Sequence, residues 1–311
     1  DSGNARTRTL VGSELTTLTS QTVQVNGLVD GTIYDLTING TDVALNPAST
    51  ISRSNIRYDI TLPAFDPVTP LADTYINNVT RKAQWNNSEQ LSSGNIKYVY
   101  VSGSIDTGGN PVGTHQVDLT GALLNQGSQE WDPGDTLVEG AHYDLYLNGT
   151  DMSGNPANQV LHANLTYDTT PPNFGSVTPV NNARVNNNSG IVRFTNSEDL
   201  SAAKVKYEWS AGPADTGNAP SGGPAGTHYI DLTGSQLLSG IQAVDLTSYL
   251  VENASYVLTV SGTDVALKVA TPITRTGITL DKTKPTFGSV TPASGAFANN
   301  TGRVVQWVNS E

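Results

Sequence analysis

Apolar and polar residues alternate along Tyr34-Asp-Leu-Thr-Ile-Asn-Gly-Thr-Asp42: Tyr34, Leu36 and Ile38 fall on one parity, Asp35, Thr37 and Asn39 on the other. The arrangement returns as Tyr143-Asp-Leu-Tyr-Leu-Asn-Gly-Thr-Asp151 and as Tyr256-Val-Leu-Thr-Val-Ser-Gly-Thr-Asp264, 109 and then 113 residues further on. A period of two predicts a β-strand with one face in a core and the other toward water. Its return at this interval predicts tandem modules. Tyr34, Tyr143 and Tyr256 are therefore expected to be buried, with Leu36, Leu145 and Leu258 beside them.

Other markers keep the register. Val68-Thr-Pro70, Val177-Thr-Pro179 and Val290-Thr-Pro292 share the two spacings, as do Asn87-Ser-Glu89, Asn196-Ser-Glu198 and Asn309-Ser-Glu311. The linkers opening at Asp59, Asp168 and Asp281 each end on Pro-x-Phe. Proline fixes its own φ and keeps its predecessor extended, so stiff joints and a rod-like array are expected. In the copy that follows Asp168, strands are predicted over 173–177, 191–195, 203–210, 227–232, 241–246, 255–261 and 274–280. Short alternating strands separated by turn clusters predict an all-β sandwich. Trp85, Phe194 and Trp307 share the inward parity of their strands with Ala83, Val192 and Val305.

Charge narrows the partners. Asp and Glu outnumber Lys and Arg by 28 to 16, a net charge of −12. Nucleic-acid phosphates and anionic membrane surfaces would be repelled. No apolar run has the length of a membrane-spanning helix. The absence of cysteine excludes disulfides, thiolate metal sites and thiol catalysis. A chain that begins at Asp1 is expected to be a processed product or an excerpt of something longer.

Val-Thr-Pro, Asn-Ser-Glu-x-Leu, Thr-His-x-x-Asp-Leu-Thr-Gly, Tyr-x-Leu-x-x-x-Gly-Thr-Asp and Asp-x-Thr-x-Pro together resemble the bacterial immunoglobulin-like domains found in long tandem arrays. Thr150-Asp-Met-Ser-Gly-Asn-Pro156 carries the likeness best, whereas Leu45 and Leu267-Lys268 depart from it. The resemblance implies tandem immunoglobulin-like β-sandwiches: a partial repeat over 1–65 lacking its first strands, complete repeats over 66–171 and 172–284, and the opening strands of a further one over 285–311. It also implies an extracellular or cell-surface location, as a structural segment of a filament, stalk or surface rod. The alternative reading is an adhesin or carbohydrate-binding module acting through its loops. Trp131, Tyr146 and Tyr75, which lack aromatic counterparts in the next copy, are its candidates for a platform facing a surface glycan.

Catalysis finds little support. His115 and His228 share one repeat position, where counting back from Gly12 places Arg6, so they are expected at the surface of a strand end. His142 and His162 match no catalytic motif, and no serine elbow, zinc-binding helix or phosphate loop is present. A non-enzymatic role is expected. Calcium, which takes six to eight oxygens, is the stronger chemistry. Its candidate ligands are the strand-end Asp42, Asp151 and Asp264, the linker Asp59, Asp168 and Asp281, and Glu89 and Glu198. The competing role for such aspartates is to cap backbone N–H groups in turns. Asn39, Asn78, Asn86, Asn148, Asn164, Asn187, Asn253 and Asn299 each open a glycosylation sequon. The expected partners are other copies of the chain or adjoining repeats of a longer parent, meeting at ends marked by Asp1, Trp307 and Glu311.

Overall fold

The computed structural model describes residues 5–15, 20–297, 299 and 304–310. The chain divides into two compact units, Asp1–Thr169 and Thr170–Glu311. In the first, β1 (Ile33–Ile38) and β2 (Ile51–Arg57) form an antiparallel hairpin. There follow β3 (Phe65–Thr69), β4 (Tyr75–Ile76), β5 (Ala83–Asn87), β6 (Leu91–Gly103), β7 (Thr114–Asp118), β8 (Gly127–Trp131), β9 (Ala141–Asp151) and β10 (Val160–Tyr167). They make a three-stranded sheet, β3-β5-β8, and a five-stranded sheet, β4-β10-β9-β6-β7. One core joins the sheets, with Phe65, Val68 and Trp85 from the smaller and Ile96, Tyr98, Tyr143, Leu145 and Leu147 from the larger. Along β9 every second residue from Ala141 to Asp151 is buried, as the alternation requires.

The second unit repeats the plan. Its strands are β11 (Phe174–Thr178), β12 (Arg184–Val185), β13 (Val192–Asn196), β14 (Leu200–Ala211), β15 (Asn218–Pro220), β16 (Thr227–Asp231), β17 (Gly240–Val244), β18 (Ser255–Asp264) and β19 (Ile273–Leu280). The sheets run β11-β13-β17 and β12-β19-β18-β14-β16-β15. The seven predicted strands are all present, and β12 and β15 are additions. Those two are too short to show a period and sit at sheet edges. A final hairpin joins β20 (Phe287–Thr291) to β21 (Gln306–Asn309).

Both sandwiches are of the immunoglobulin-like type: two antiparallel-rich sheets around a core, with a tyrosine corner on the strand before the last. The recurrent glycine of that strand has a packing reason. A Cβ on Gly149 would lie 3.1 Å from Phe65 Cζ, and one on Gly262 would lie 2.9 Å from Phe174 Cζ. Tyr143, Leu145, Tyr256 and Leu258 are fully buried. Tyr34 is only half-buried and Leu36 is exposed, against expectation. Trp307 is likewise exposed, where Trp85 and Phe194 are buried. In each case the two-stranded hairpin has no second sheet across its apolar face among the described residues.

Candidate functional site

The most completely built polar constellation lies inside each sandwich. In the first, Asp106 in the loop after β6 accepts 2.6 Å bonds at Oδ2 from His115 Nε2 of β7 and from the Tyr143 hydroxyl of β9. Its Oδ1 accepts the Gly108 N–H, and the Tyr143 oxygen in turn accepts the Val138 N–H at 2.9 Å. The second sandwich has the same set: Asp215 Oδ2 with His228 Nε2 (2.6 Å) and Tyr256 (2.7 Å), Gly217 N–H on Oδ1, and Val251 N–H on the tyrosine. Burial pushes both aspartates toward the neutral acid. The tyrosine, histidine and glycine donors outweigh it and hold both below the ordinary carboxylate range. Burial first, then the adjacent carboxylate, pushes both tyrosines well above theirs.

His115 and His228 are thus buried, contrary to the surface position expected of them. Their rings pack against Tyr143 and against Tyr249 and Tyr256 respectively, which close them off from water. Sequence reasoning missed the partner aspartate. The available signal was Asp-Thr-Gly at 106–108 and again at 215–217. With the carboxylate committed to three donors and the side chains shut from solvent, the trio ties a loop to two strands.

The acidic candidates separate. In the first unit, one carboxylate oxygen each from Asp59, Glu89 and Asp151 lie within 4.8 Å of one another. Burial, then Asp59 and Asp151, raise the pKa of Glu89. Asp151 also caps its own loop, accepting at Oδ1 from the Ser153 and Asn155 N–H groups, both at 2.8 Å. The Asn155 side-chain amide bridges Asp151 Oδ2 and the Asp59 and Thr61 carbonyls. The carboxylate and carbonyl oxygens here suit a hard cation such as calcium, although the Asn155 amide already donates to Asp151 Oδ2 and Arg57 Nε stands 3.4 Å from Asp59 Oδ2. Asp264 of the second unit occupies the position of Asp151, and Glu198 that of Glu89; their carboxylates also approach within 4.8 Å. Asp264 Oδ2 is buried with no hydrogen-bond partner, Lys268 standing where the first sandwich has Asn155. Asp168 is buried at the end of the first unit. Asp42 is a turn cap, bound by Ala44, Asn46 and the Asn46 amide. Asp281 pairs with Arg184 at 3.5 Å and caps Thr283. Neither joins a carboxylate cluster among the described residues.

The sequon asparagines divide as well. Asn39, Asn78, Asn164, Asn187, Asn253 and Asn299 are exposed, whereas Asn86 and Asn148 are half-buried in the middle of strands. Around Asn78 the motif builds a turn: Asn77 Oδ1 accepts the Val79 and Thr80 N–H groups, and Thr80 Oγ1 accepts the Asn77 N–H. Asn186 and Ser189 do the same around Asn187. Asn164 and Asn253 occupy left-handed positions that asparagine tolerates. Each of these four sequons therefore has a conformational use of its own.

The aromatic candidates do not assemble. Trp131 stacks on buried Tyr98 at 6.0 Å, Tyr146 lies beneath Lys97, and Tyr75 is exposed on the edge strand β4. His142 bonds Thr166, and His162 bonds the Pro70 carbonyl. Asp1 and Glu311 lie outside the described residues.

No protein-family model matches the chain, and no curated protein matches it. Solved structures do match, among them the fibronectin(III)-like modules of Clostridium thermocellum CbhA, at 12% identity and a TM-score of 0.33, covering 71% of this chain and 95% of that one. No helix among the described residues is long and apolar enough to cross a membrane.

Proposed function

We propose that the chain is a structural segment of an extracellular or cell-surface filament, stalk or rod, built from β-sandwich modules. The observation that carries this reading is the use to which the recurring polar residues are put. Asp106, His115 and Tyr143, and Asp215, His228 and Tyr256, face inward and bind one another. A residue set repeated in both sandwiches and closed to solvent serves the frame. Under load, hydrogen bonds between β9 and β6 or between β18 and β14 would resist in shear. Calcium belongs to the same reading: Asp59, Glu89 and Asp151 would hold the ion and tie the β1–β2 hairpin to the sandwich that follows it. The ion would supply charge neutralisation to three crowded carboxylates. Adjoining modules or further copies of the chain are the partners.

Electron microscopy of the native material, with antibodies against this chain, tests the assembly; labelled filaments or rods support it, and labelling confined to the cell interior would sink it. The calcium assignment has its own readout. A higher Tm in millimolar Ca²⁺ than in EDTA is expected, because an ion bound only by the folded state stabilises by mass action. Glu89→Gln should remove that difference while raising Tm in EDTA, since the raised pKa of Glu89 marks an ionised form that the fold disfavours. Equal melting in both buffers rules the ion out.

A further inference from the structure

The two sandwiches treat the same sheet edge differently. Asp215 precedes His228 by 13 positions, whereas Asp106 precedes His115 by 9. The longer loop forms β15, which runs parallel to β16 and covers its outer edge, the Ser221 N–H donating to the Tyr229 carbonyl at 3.2 Å. In the first sandwich the same path makes one bridge, Gly109 to Thr114, and the Asn110 N–H donates to the Thr114 carbonyl. Beyond it no strand pairs with β7 on that side among the described residues. Tyr98 faces His115, Ile96 faces Val117, and the Leu119 N–H reaches the Gly94 carbonyl. His115 and Val117 therefore turn their backbone groups toward β6, while Gln116 and Asp118 turn theirs outward. Such an edge is commonly blunted by Lys, Pro or a bulge. β7 has none of these, whereas β15 ends on Pro220. The side chains nearby differ in the same sense. Val101, Ile105 and Val112 are 56%, 77% and 72% exposed. The second sandwich has Ser210, Ala214 and Ala225 at those positions, and its Trp209 is tied to its own loop through the Pro213 carbonyl at 3.0 Å.

We propose that β7 is an interaction edge for a second copy of this chain, the two β7 strands pairing antiparallel about a two-fold axis at Val117. The register follows from which groups are open. Gly109 and Asn110 already occupy the edge beside Thr114, so a partner strand fits from Gln116 onward. Placing Gln116 opposite Asp118 of the second copy engages the outward N–H and C=O groups of both residues, on both sides of the axis. It also sets an amide against a carboxylate twice. The Gln116 amide reaches the Asn110 carbonyl at 3.3 Å and keeps a second N–H, and Asp118 holds Asn95 on one oxygen and keeps the other. A pairing centred on Asp118 would oppose like charges, and one centred on Gln116 would run into the loop at Asn110. Val117, half-buried, then meets its own copy in a closely spaced, non-hydrogen-bonded pair. Continued beyond the strand, this register carries the second copy's Gly121–Leu124 turn toward Val112 and so covers exposed apolar surface. β15 bars the same pairing on the second sandwich. The choice of occupant rests on the reading in which further copies of the chain are its partners.

The test is sedimentation equilibrium of the full chain and of two kinds of variant. A concentration-dependent dimer is expected. Gln116→Pro should weaken it at least about tenfold, because the ring removes the outward N–H and blocks the approach of a strand. Proline is tolerated on an edge whose N–H faces solvent, so the variant should fold, which circular dichroism checks. Cysteine reads the register, since the chain has none of its own. Oxidised Val117→Cys should give a disulfide-linked dimer, because the Cα atoms of a non-hydrogen-bonded pair lie within disulfide reach. Gln116→Cys, which faces Asp118 of the other copy, should cross-link far less. A chain that stays monomeric, a dimer that ignores Gln116→Pro, or equal cross-linking at both positions overturns the proposal. A monomeric chain found in labelled filaments would overturn this contact and leave the filament reading standing. A dimer that responds as described, from material that forms no filaments, would support the contact and overturn that reading.

Discussion

The two sandwiches share a frame and differ in how they finish it. Trp85 Nε1 donates to Asn87 Oδ1 at 2.8 Å, while the Asn87 amide binds the Leu123 and Asn125 carbonyls. In the second sandwich Phe194 replaces the tryptophan; Asn196 keeps its two carbonyls, but its Oδ1 is buried without a partner. Arg81, nearly buried, binds Asp132, Asp135 and the Tyr167 hydroxyl. Its counterpart is Gly190, where a Cβ would strike Thr247 Cγ2 at 2.6 Å. The Asp–His–Tyr trio, by contrast, keeps the same hydrogen bonds in both, although His228 Nδ1 is buried without a partner. What these two sandwiches hold constant is the group that locks strands together. The polar finish of the core varies with the neighbouring side chain.

The largest effects should fall on the shared frame. Tyr143→Ala is expected to cost about 3–5 kcal/mol, as for a large aromatic removed from a core. Tyr256→Ala should cost a similar amount if the two frames are equivalent. Chemical denaturation measures both, and a cost below about 1 kcal/mol in either would break the equivalence.

Acid should reach both frames together. The folded pKa values of Asp106 and Asp215 lie below the unfolded value, so their contribution is fully present above the ordinary carboxylate range. It is lost as pH falls through the lower, folded values. Stability should therefore hold from neutrality to about pH 4 and decline below it. Asp106→Asn and Asp215→Asn should each lower stability at pH 7 and flatten part of the acid decline. An unchanged pH slope in either variant would show that its trio does not govern acid sensitivity.

The polar finish offers a smaller, reciprocal test. Trp85→Phe should destabilise the first sandwich by about 1–3 kcal/mol, leaving Asn87 Oδ1 in the condition of Asn196 Oδ1. Phe194→Trp should recover part of that amount in the second if the indole reaches Asn196. A destabilising Phe194→Trp would mean that the core there is too tightly packed for the larger ring.

The smallest effect concerns the loop after β9 and β18. Gly154 and Leu267 occupy the same position with φ of 92° and 65°. A left-handed leucine is disfavoured by about 1–2 kcal/mol, partly offset by the greater unfolded freedom of glycine. Leu267→Gly should raise stability by a few tenths to about 1 kcal/mol, and Gly154→Leu should lower it.

The sandwich class was legible in the chain because alternation is local. Tyr143, Leu145 and Leu147 face one way on any strand, and burying that face needs a second sheet. The return of the motif carried the same information into the second unit. Leu267 illustrates a limit: the loop keeps its backbone although the glycine that favours it has been replaced, so departure from the motif did not mean departure from the geometry. The Asp–His–Tyr trio was out of reach for a different reason. Asp106 precedes His115 by 9 residues, Asp215 precedes His228 by 13, and the tyrosine follows on a third element. A loop of variable length leaves no fixed spacing to read. The burial of each histidine depends on rings brought in by other elements. Asp59, Glu89 and Asp151 were individually visible as recurring acids, yet their approach in the first unit depends on a linker, a strand start and a strand end meeting. Periodicity determines which face of a strand seeks cover. Only the tertiary structure decides which distant groups meet there, because solvation and charge act through space and take no account of the order of residues along the chain.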